Sequence, residues 1–178
     1  VRREVAENLP MSDTSRNYRF IADVMLGRLA RWLRLLGFDT LYYPNVIDTR
    51  LIRIAREQGR LILTRDTRLV KIKGITDYLL IRANDSFAQL LEVIHALKLK
   101  EFHPLSRCVA CNGQLSRLSD KNEIKESVPD FVFLRFHVFL RCSDCGKIYW
   151  EGTHPKMFRE KLAEVLSRNF SSRMGLPS

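Results

Sequence analysis

Between Tyr18 and Leu99 the apolar positions switch repeatedly between two periods. The short runs "YRFIADV", "DTLYYP", "RLILTRD" and "DYLLIR" are contiguous or alternating in hydrophobicity and read as strands. Segments of helical spacing separate or follow them. "MLGRLARWLRLLG" sets Leu26, Leu29, Ala30, Leu33 and Leu36 on one face and closes on Gly37. "DTRLIRIAREQG" closes on Gly59, and "DSFAQLLEVIHALKL" follows the fourth strand. Strands joined by single helices predict right-handed crossovers and a parallel sheet covered on both faces. The expectation is therefore an α/β domain over residues 18–100.

Beyond Lys100 the texture changes. "FVFLRFHVFLRC" predicts short antiparallel strands around a knuckle made by "CVAC" and "CSDC". "PKMFREKLAEVL" predicts a helix with Pro155 in its first turn. A small module over residues 101–168 is expected, with residues 1–17 and 169–178 as flexible tails.

All four cysteines fall in two C-x-x-C pairs, Cys108/Cys111 and Cys142/Cys145. Asn112 and Gly113 follow the first pair and Gly146 the second, so the backbone can turn under the sulfurs and aim amide N–H groups at them. Four thiolates at this spacing suit a closed tetrahedral Zn²⁺ site. Redox pairs or disulfides are the alternative, and a reducing cytosol disfavours them. A closed site leaves the metal no open position, so its expected role is structural.

Composition narrows the partner. The formal net charge is +10 over 178 residues, which favours a polyanion, most simply nucleic acid. No apolar run reaches eighteen residues, and the first ten residues lack an apolar core. No membrane partner is expected, and a cytoplasmic address is the default.

Three acids fall where strands end or helices begin: Asp23 after "RFIA", Asp48 opening "DTRLIRIA", and Asp66 closing "LILTRD". Capping is the plainer account of Asp48 taken singly, and it is equally open to Asp23. As a set they have another reading. Parallel connections could bring all three to the carboxyl edge of the sheet, where open α/β sheets bind ligands. Clustered carboxylates there repel unless a cation such as Mg²⁺ or Mn²⁺ neutralises them, and such an ion can activate water against a phosphodiester.

The series "FIADVMLGRLARWLRLLGFDTLYY", "IDTRLIRIAREQGRLILTRD", "RCVACNG" and "RCSDCGKIYWEGTH" resembles the Mut7-C ribonuclease family, from about Phe20 to Met157. That resemblance implies a shortened PIN-like nuclease domain followed by a zinc ribbon. It further implies Mg²⁺- or Mn²⁺-dependent endoribonuclease activity, with Asp23, Asp48 and Asp66 as catalytic metal ligands. PIN-like domains at large carry another acid from a helical insertion that this chain lacks. The open substitutes are Asp39, Asp85 and Glu57, and three acids imply one tightly held metal rather than two.

Arg28, Arg31 and Arg34 recur every third residue opposite the leucine face of the first helix, and Arg50, Arg53 and Arg56 repeat the spacing on the second. Such stripes are ordinarily a solvated face. Beside an acidic rim they would instead make a positive groove, with Arg28, Arg31, Arg53 and Arg65 as the phosphate-binding residues. Trp32 reads as an edge-of-core residue. Trp150 reads as packing of the ribbon against the nuclease domain, His137 as structural, and His154 as a possible phosphate donor. The partner expected is RNA (tRNA, rRNA or the ribosome). The rival to the endoribonuclease is a non-catalytic RNA- or ribosome-binding protein with a vestigial acidic rim.

Overall fold

Four strands lie parallel in the order β2-β1-β3-β4: β1 (Arg19–Ala22), β2 (Asp39–Tyr42), β3 (Leu61–Thr64) and β4 (Tyr78–Leu80). The computed structural model describes residues 18–72, 75, 77–150 and 160. Helix α1 (Gly27–Leu35) joins β1 to β2 and α2 (Asp48–Gln58) joins β2 to β3; between β3 and β4 the described residues hold only a short 3₁₀ turn (Leu69–Lys71), and α3 (Ser86–Ala96) follows β4. Strand alternation sorts the core. Ile21 and Ile62, partners in register, join Leu51, Ile54 and Ala55 of α2 and Leu69 in one apolar cluster. Phe20, Ala22 and Leu63 are buried at the alternate positions, and α1 and α3 pack on each other.

Gly59 ends α2 in the left-handed conformation at φ 59° and returns its chain to β3. The Gly37 turn is tighter still. At φ 95° an added Cβ would lie 2.3 Å from the carbonyl oxygen of His103.

The chain falls into two compact units. Among the described residues, one runs from 18 to 115 and takes in Cys142–Cys145, and the other comprises 116–141 and 146–150. The second unit is built on the sheet β5-β6-β7: β5 (Leu115–Arg117), β6 (Phe139–Cys142) and β7 (Ile148–Trp150). Its core gathers Ile124, Val128, Val132 and Phe139.

One expected stretch of strand is helical. Residues Asp130–Arg135 form α4 rather than the first half of an antiparallel pair. The run is apolar at nearly every position, so its period is ambiguous and the flanking residues decide. Pro129 is the N-cap, and Asp130 places a negative charge in the first turn, where the helix dipole favours it. Val132, Phe133 and Phe136 then meet the unit's core at helical spacing, while Phe131 and Leu134 are exposed. Of the expected helix "PKMFREKLAEVL" only Glu160 is among the described residues, where it is helical and exposed; the rest of that segment, His154 and both expected tails lie outside them. Among the described residues no helix is long and apolar enough to cross a membrane.

Candidate functional site

Strand order fixes where a ligand can sit. The chain leaves β1 for β2 on one side and later adds β3 on the other, so the crevice of this sheet opens outside the carboxyl ends of β1 and β3. Asp23 is the first residue after β1, and Thr64 and Asp66 end and follow β3. The Asp23 amide donates to the Leu63 carbonyl at 2.9 Å, which carries the pairing one step past the strand end.

Across that crevice Thr64 Oγ1 donates to Asp23 Oδ2 at 2.8 Å and accepts the Asp66 amide at 2.9 Å. One hydroxyl therefore joins the two acidic positions, which lie 43 residues apart in sequence. Asp23 is only 5% exposed. It precedes a short 3₁₀ turn, Val24–Leu26, yet makes no side-chain capping bond to it. Capping therefore does not account for this carboxylate. Its Oδ1 carries no hydrogen bond, and since no described buried polar side-chain atom lacks a partner, that oxygen is open to solvent.

Asp66 is held differently. Its Oδ1 accepts the Arg68 amide at 2.7 Å, and its Oδ2 lies 3.3 Å from the Arg68 guanidinium. The Arg68 N–H and then its guanidinium hold the Asp66 carboxyl below the usual carboxylate range. Arg68 also feels the charge of Asp48. Asp48 is not the N-cap of α2. That position is Ile47, and exposed Asp48 stands one residue inside, in the first turn. The three aspartates thus share the carboxyl edge. They do not converge to ligand distance as the cysteines do, because the four cysteines are the one such group among the described residues.

None of the substitute acids completes the set. Asp39 begins β2 at the opposite end of the sheet. There it pairs with Arg60 at 2.7 Å, Arg19 at 3.3 Å and Arg107 at 3.7 Å. Burial pushes its carboxyl up. Hydrogen bonds from Arg60 and Asn112, with the charges of Arg60 and Arg107, outweigh that and bring it to about 2. Asp85 caps α3, accepting the Phe87 and Ala88 amides at 2.9 and 3.1 Å. Glu57 faces Arg53 one turn back on α2, at 4.0 Å.

The arginine stripe divides. Arg28 and Arg31 are exposed, as is Arg53, and Arg65 bonds Asn84. Arg34 is buried, at 4% exposure. It donates to the Thr40 carbonyl at 2.8 Å and to Val109 and Ala110 carbonyls at 3.1 and 2.9 Å. Steps of three residues rotate by about 300°, so two steps carry Arg34 roughly 120° away from Arg28. Trp32 packs edge-on against Phe87 of α3, and Trp150 packs at a tilt on Phe139 of its own unit. His137 is exposed between α4 and β6.

The cysteines make the second centre. All four Sγ atoms lie within 4.8 Å of one another, with Cys108–Cys145 at 3.6 Å and Cys111–Cys142 at 3.4 Å. A tetrahedron with Zn–S of about 2.3 Å needs S···S of about 3.8 Å, so the cluster fits a thiolate-bound metal such as zinc. Without a cation, burial first and then the neighbouring sulfurs push the Cys111 thiol up to about 12, with the Gly113 N–H opposing them. Asn112 and Gly146, the residues after each pair, turn at φ 76° and 71°. Gly113 has no room for a side chain, since a Cβ would lie 2.8 Å from Cys142 Sγ.

The sequence marks Asn112 only as a turn residue, and in the fold it does more. Its Oδ1 accepts the Thr40 amide on the open edge of β2, and its Nδ2 donates to Asp39, each at 2.8 Å. The asparagine thereby covers a strand edge that would otherwise be unpaired. The Arg60–Asp39–Asn112 network gave no signal in the sequence, because its members are scattered over more than seventy positions.

A family model described as the Mut7-C RNAse domain matches residues 18–162. Among curated proteins, the human "Exonuclease mut-7 homolog" is 33% identical over 124 residues, covering 61% of this chain and 13% of that protein. The chain thus spans about an eighth of that relative's length.

Proposed function

The chain belongs to the Mut7-C RNAse domain family, a family of nuclease-type domains, and on that premise we propose that it is a metal-dependent endoribonuclease. It hydrolyses RNA phosphodiester bonds at the rim formed by Asp23, Asp48 and Asp66, with Mg²⁺ or Mn²⁺ as cofactor and a structural Zn²⁺ on Cys108, Cys111, Cys142 and Cys145. The observation that carries this reading is the Thr64 hydroxyl joining Asp23 to the start of the Asp66 turn at the switch point of the sheet.

The donor set fits a hard cation. A buried carboxylate with one bonded and one open oxygen, a second aspartate kept ionised and a third at a helix N-terminus offer oxygen ligands alone. When bound, the ion supplies an activated water and neutralises charge developing on the phosphodiester. Thr64 orients Asp23 and fixes its spacing from Asp66. Arg68 balances Asp66, and because its side chain is 91% exposed, little packing opposes its leaving for an incoming cation or phosphate. Arg28, Arg31 and Arg53 hold RNA phosphates, with Arg65 and His154 as further donors. Exposed side chains, Val24, Met25, Ile47 and Arg68, lie beside these carboxylates, and on this reading an RNA chain runs along the rim rather than ending in it. That favours internal cleavage.

A circular RNA has no end and tests this directly. With Mn²⁺ the wild type should linearise it, and Asp66→Asn should cut at least a hundredfold more slowly while binding RNA undiminished. Asparagine retains the turn but not the charge. Cleavage of linear RNA alone would make the enzyme an exonuclease. Binding without any cleavage would support the non-catalytic reading, which the spread of the three carboxylates favours.

A further inference from the structure

Large apolar side chains crowd the same edge as the aspartates. Val24 and Met25 follow Asp23, Tyr43 follows β2, and Ile47 precedes Asp48; they are 39%, 63%, 39% and 68% exposed. Register makes them neighbours. Ala22 pairs with Tyr42 in the parallel β1–β2 ladder, so Val24, Met25 and Tyr43 leave adjacent strand ends. The Tyr42 hydroxyl donates to the Val24 carbonyl at 3.1 Å and ties the two exits together. A turn with the Val46 amide on the Tyr43 carbonyl at 3.4 Å then brings the chain round to Ile47.

Ile47 is the most telling of these. It is the N-cap of α2, makes no side-chain cap and lies in solvent. Serine, threonine, aspartate or asparagine would serve that position better. A local choice that costs stability and exposes an apolar group marks a functional surface more often than a structural one. Phosphodiester chemistry at the carboxylates has no use for an isoleucine, a methionine and a tyrosine beside them. A nucleobase does, because its faces are apolar and stack on such groups.

We infer that Met25, Tyr43 and Ile47 form a base platform that selects single-stranded RNA, with Tyr43 stacking on a base beside the phosphate held at the rim. This rests on the nuclease reading and specifies its substrate. The bases of an A-form duplex already stack on one another and offer no free face, so only unpaired nucleotides can use the platform. Charge selects RNA over an apolar protein segment. Exposed Arg28 and Arg31 lie on α1 and exposed Arg50 and Arg53 on α2, the helices that start from these same loops.

The test uses the full zinc-loaded chain without Mg²⁺ or Mn²⁺. Its affinity for a fluorescent single-stranded oligoribonucleotide and for a hairpin duplex is measured over a salt series. The wild type should prefer the single strand. Tyr43→Ala should weaken that binding about tenfold without changing its salt slope, Tyr43→Phe should restore it, and duplex binding should not move. Ile47→Ser should raise the melting temperature by improving the cap yet weaken single-strand binding, a pairing that a merely structural isoleucine would not give. Salt-sensitive RNA binding that is indifferent to Tyr43→Ala and Ile47→Ser would overturn the platform and leave the nuclease reading standing. Equal losses on single strand and duplex would also overturn it. Absence of RNA binding by the wild type would overturn both readings.

Discussion

A carboxylate's neighbours decide what it is for, and two aspartates of this chain make the contrast. Asp23 keeps one oxygen open beside a single hydroxyl donor, whereas Asp39 is saturated by Arg60, Arg19, Arg107 and Asn112. The first can take a ligand; the second fastens β2. The folded Asp39 carboxyl titrates at about 2, below its ordinary value. As pH falls, the unfolded chain therefore takes up that proton first. The stabilisation is complete above about pH 5 and disappears as pH falls through about 2, and it amounts to roughly 2 kcal/mol. Asp39→Asn should cost about 3 kcal/mol at pH 7, because it leaves the Arg60 guanidinium buried without its counter-charge. The variant should also lose less than the wild type between pH 7 and pH 3. Urea unfolding at the two pH values reads both effects, and parallel losses would assign the acid sensitivity to other groups.

At the scale of elements, the first C-x-x-C knuckle belongs with the α/β sheet. Arg34 of α1 donates to the Val109 and Ala110 carbonyls inside the first C-x-x-C, and Asn112 pairs with the edge of β2. Burial pushes the Arg34 guanidinium below its ordinary value, and the Cys111 and Cys108 thiolates pull it back. From sequence, the cysteine module and the nuclease domain look separable, and zinc removal would unfold only the ribbon. These bonds give a different expectation. Releasing the knuckle deprives a buried cation of two acceptors, so chelation should destabilise the α/β unit by roughly 2–4 kcal/mol. Asn112→Ala should do part of the same damage with zinc still bound. Thermal melts followed by helical circular dichroism, with and without a thiol-compatible chelator, measure the loss. An α/β melting temperature indifferent to zinc would uncouple the two.

Over the whole molecule the charge of +10 bears on association rather than on fold. Each phosphate neutralised releases counterions, so binding to single-stranded RNA should weaken steeply with salt. Replacing Arg28 and Arg31 together by alanine should lower the slope of log affinity against log salt by about 1.4, two contacts at about 0.7 each. An unchanged slope would reduce both to solvated side chains. Arg34→Ala would be a poor control, because it is a buried part of the fold.

What the sequence determined by itself was everything written in local spacing. Period two and period 3.6 placed four strands and three helices, and the doubled C-x-x-C with its Asn-Gly and Gly followers placed a thiolate site. The alternation of elements also implied a parallel sheet, and the motif series implied the family. Helix α4 escaped because a stretch that is apolar at nearly every position from Phe131 to Leu140 has no readable period, although Pro129-Asp130 marked its start. Only the tertiary structure decided which side chains meet. The strand order β2-β1-β3-β4 set Asp23 against Thr64 across a crevice and sent Asp39 to the far end. It also turned Arg34 inward and gave Asn112 a strand edge to cover. Those pairings join residues up to seventy-six positions apart, at distances set by sheet order and helix rotation. No periodicity along the chain carries that information, because a strand's neighbours are chosen by the burial of whole faces and not by the residues at its tips.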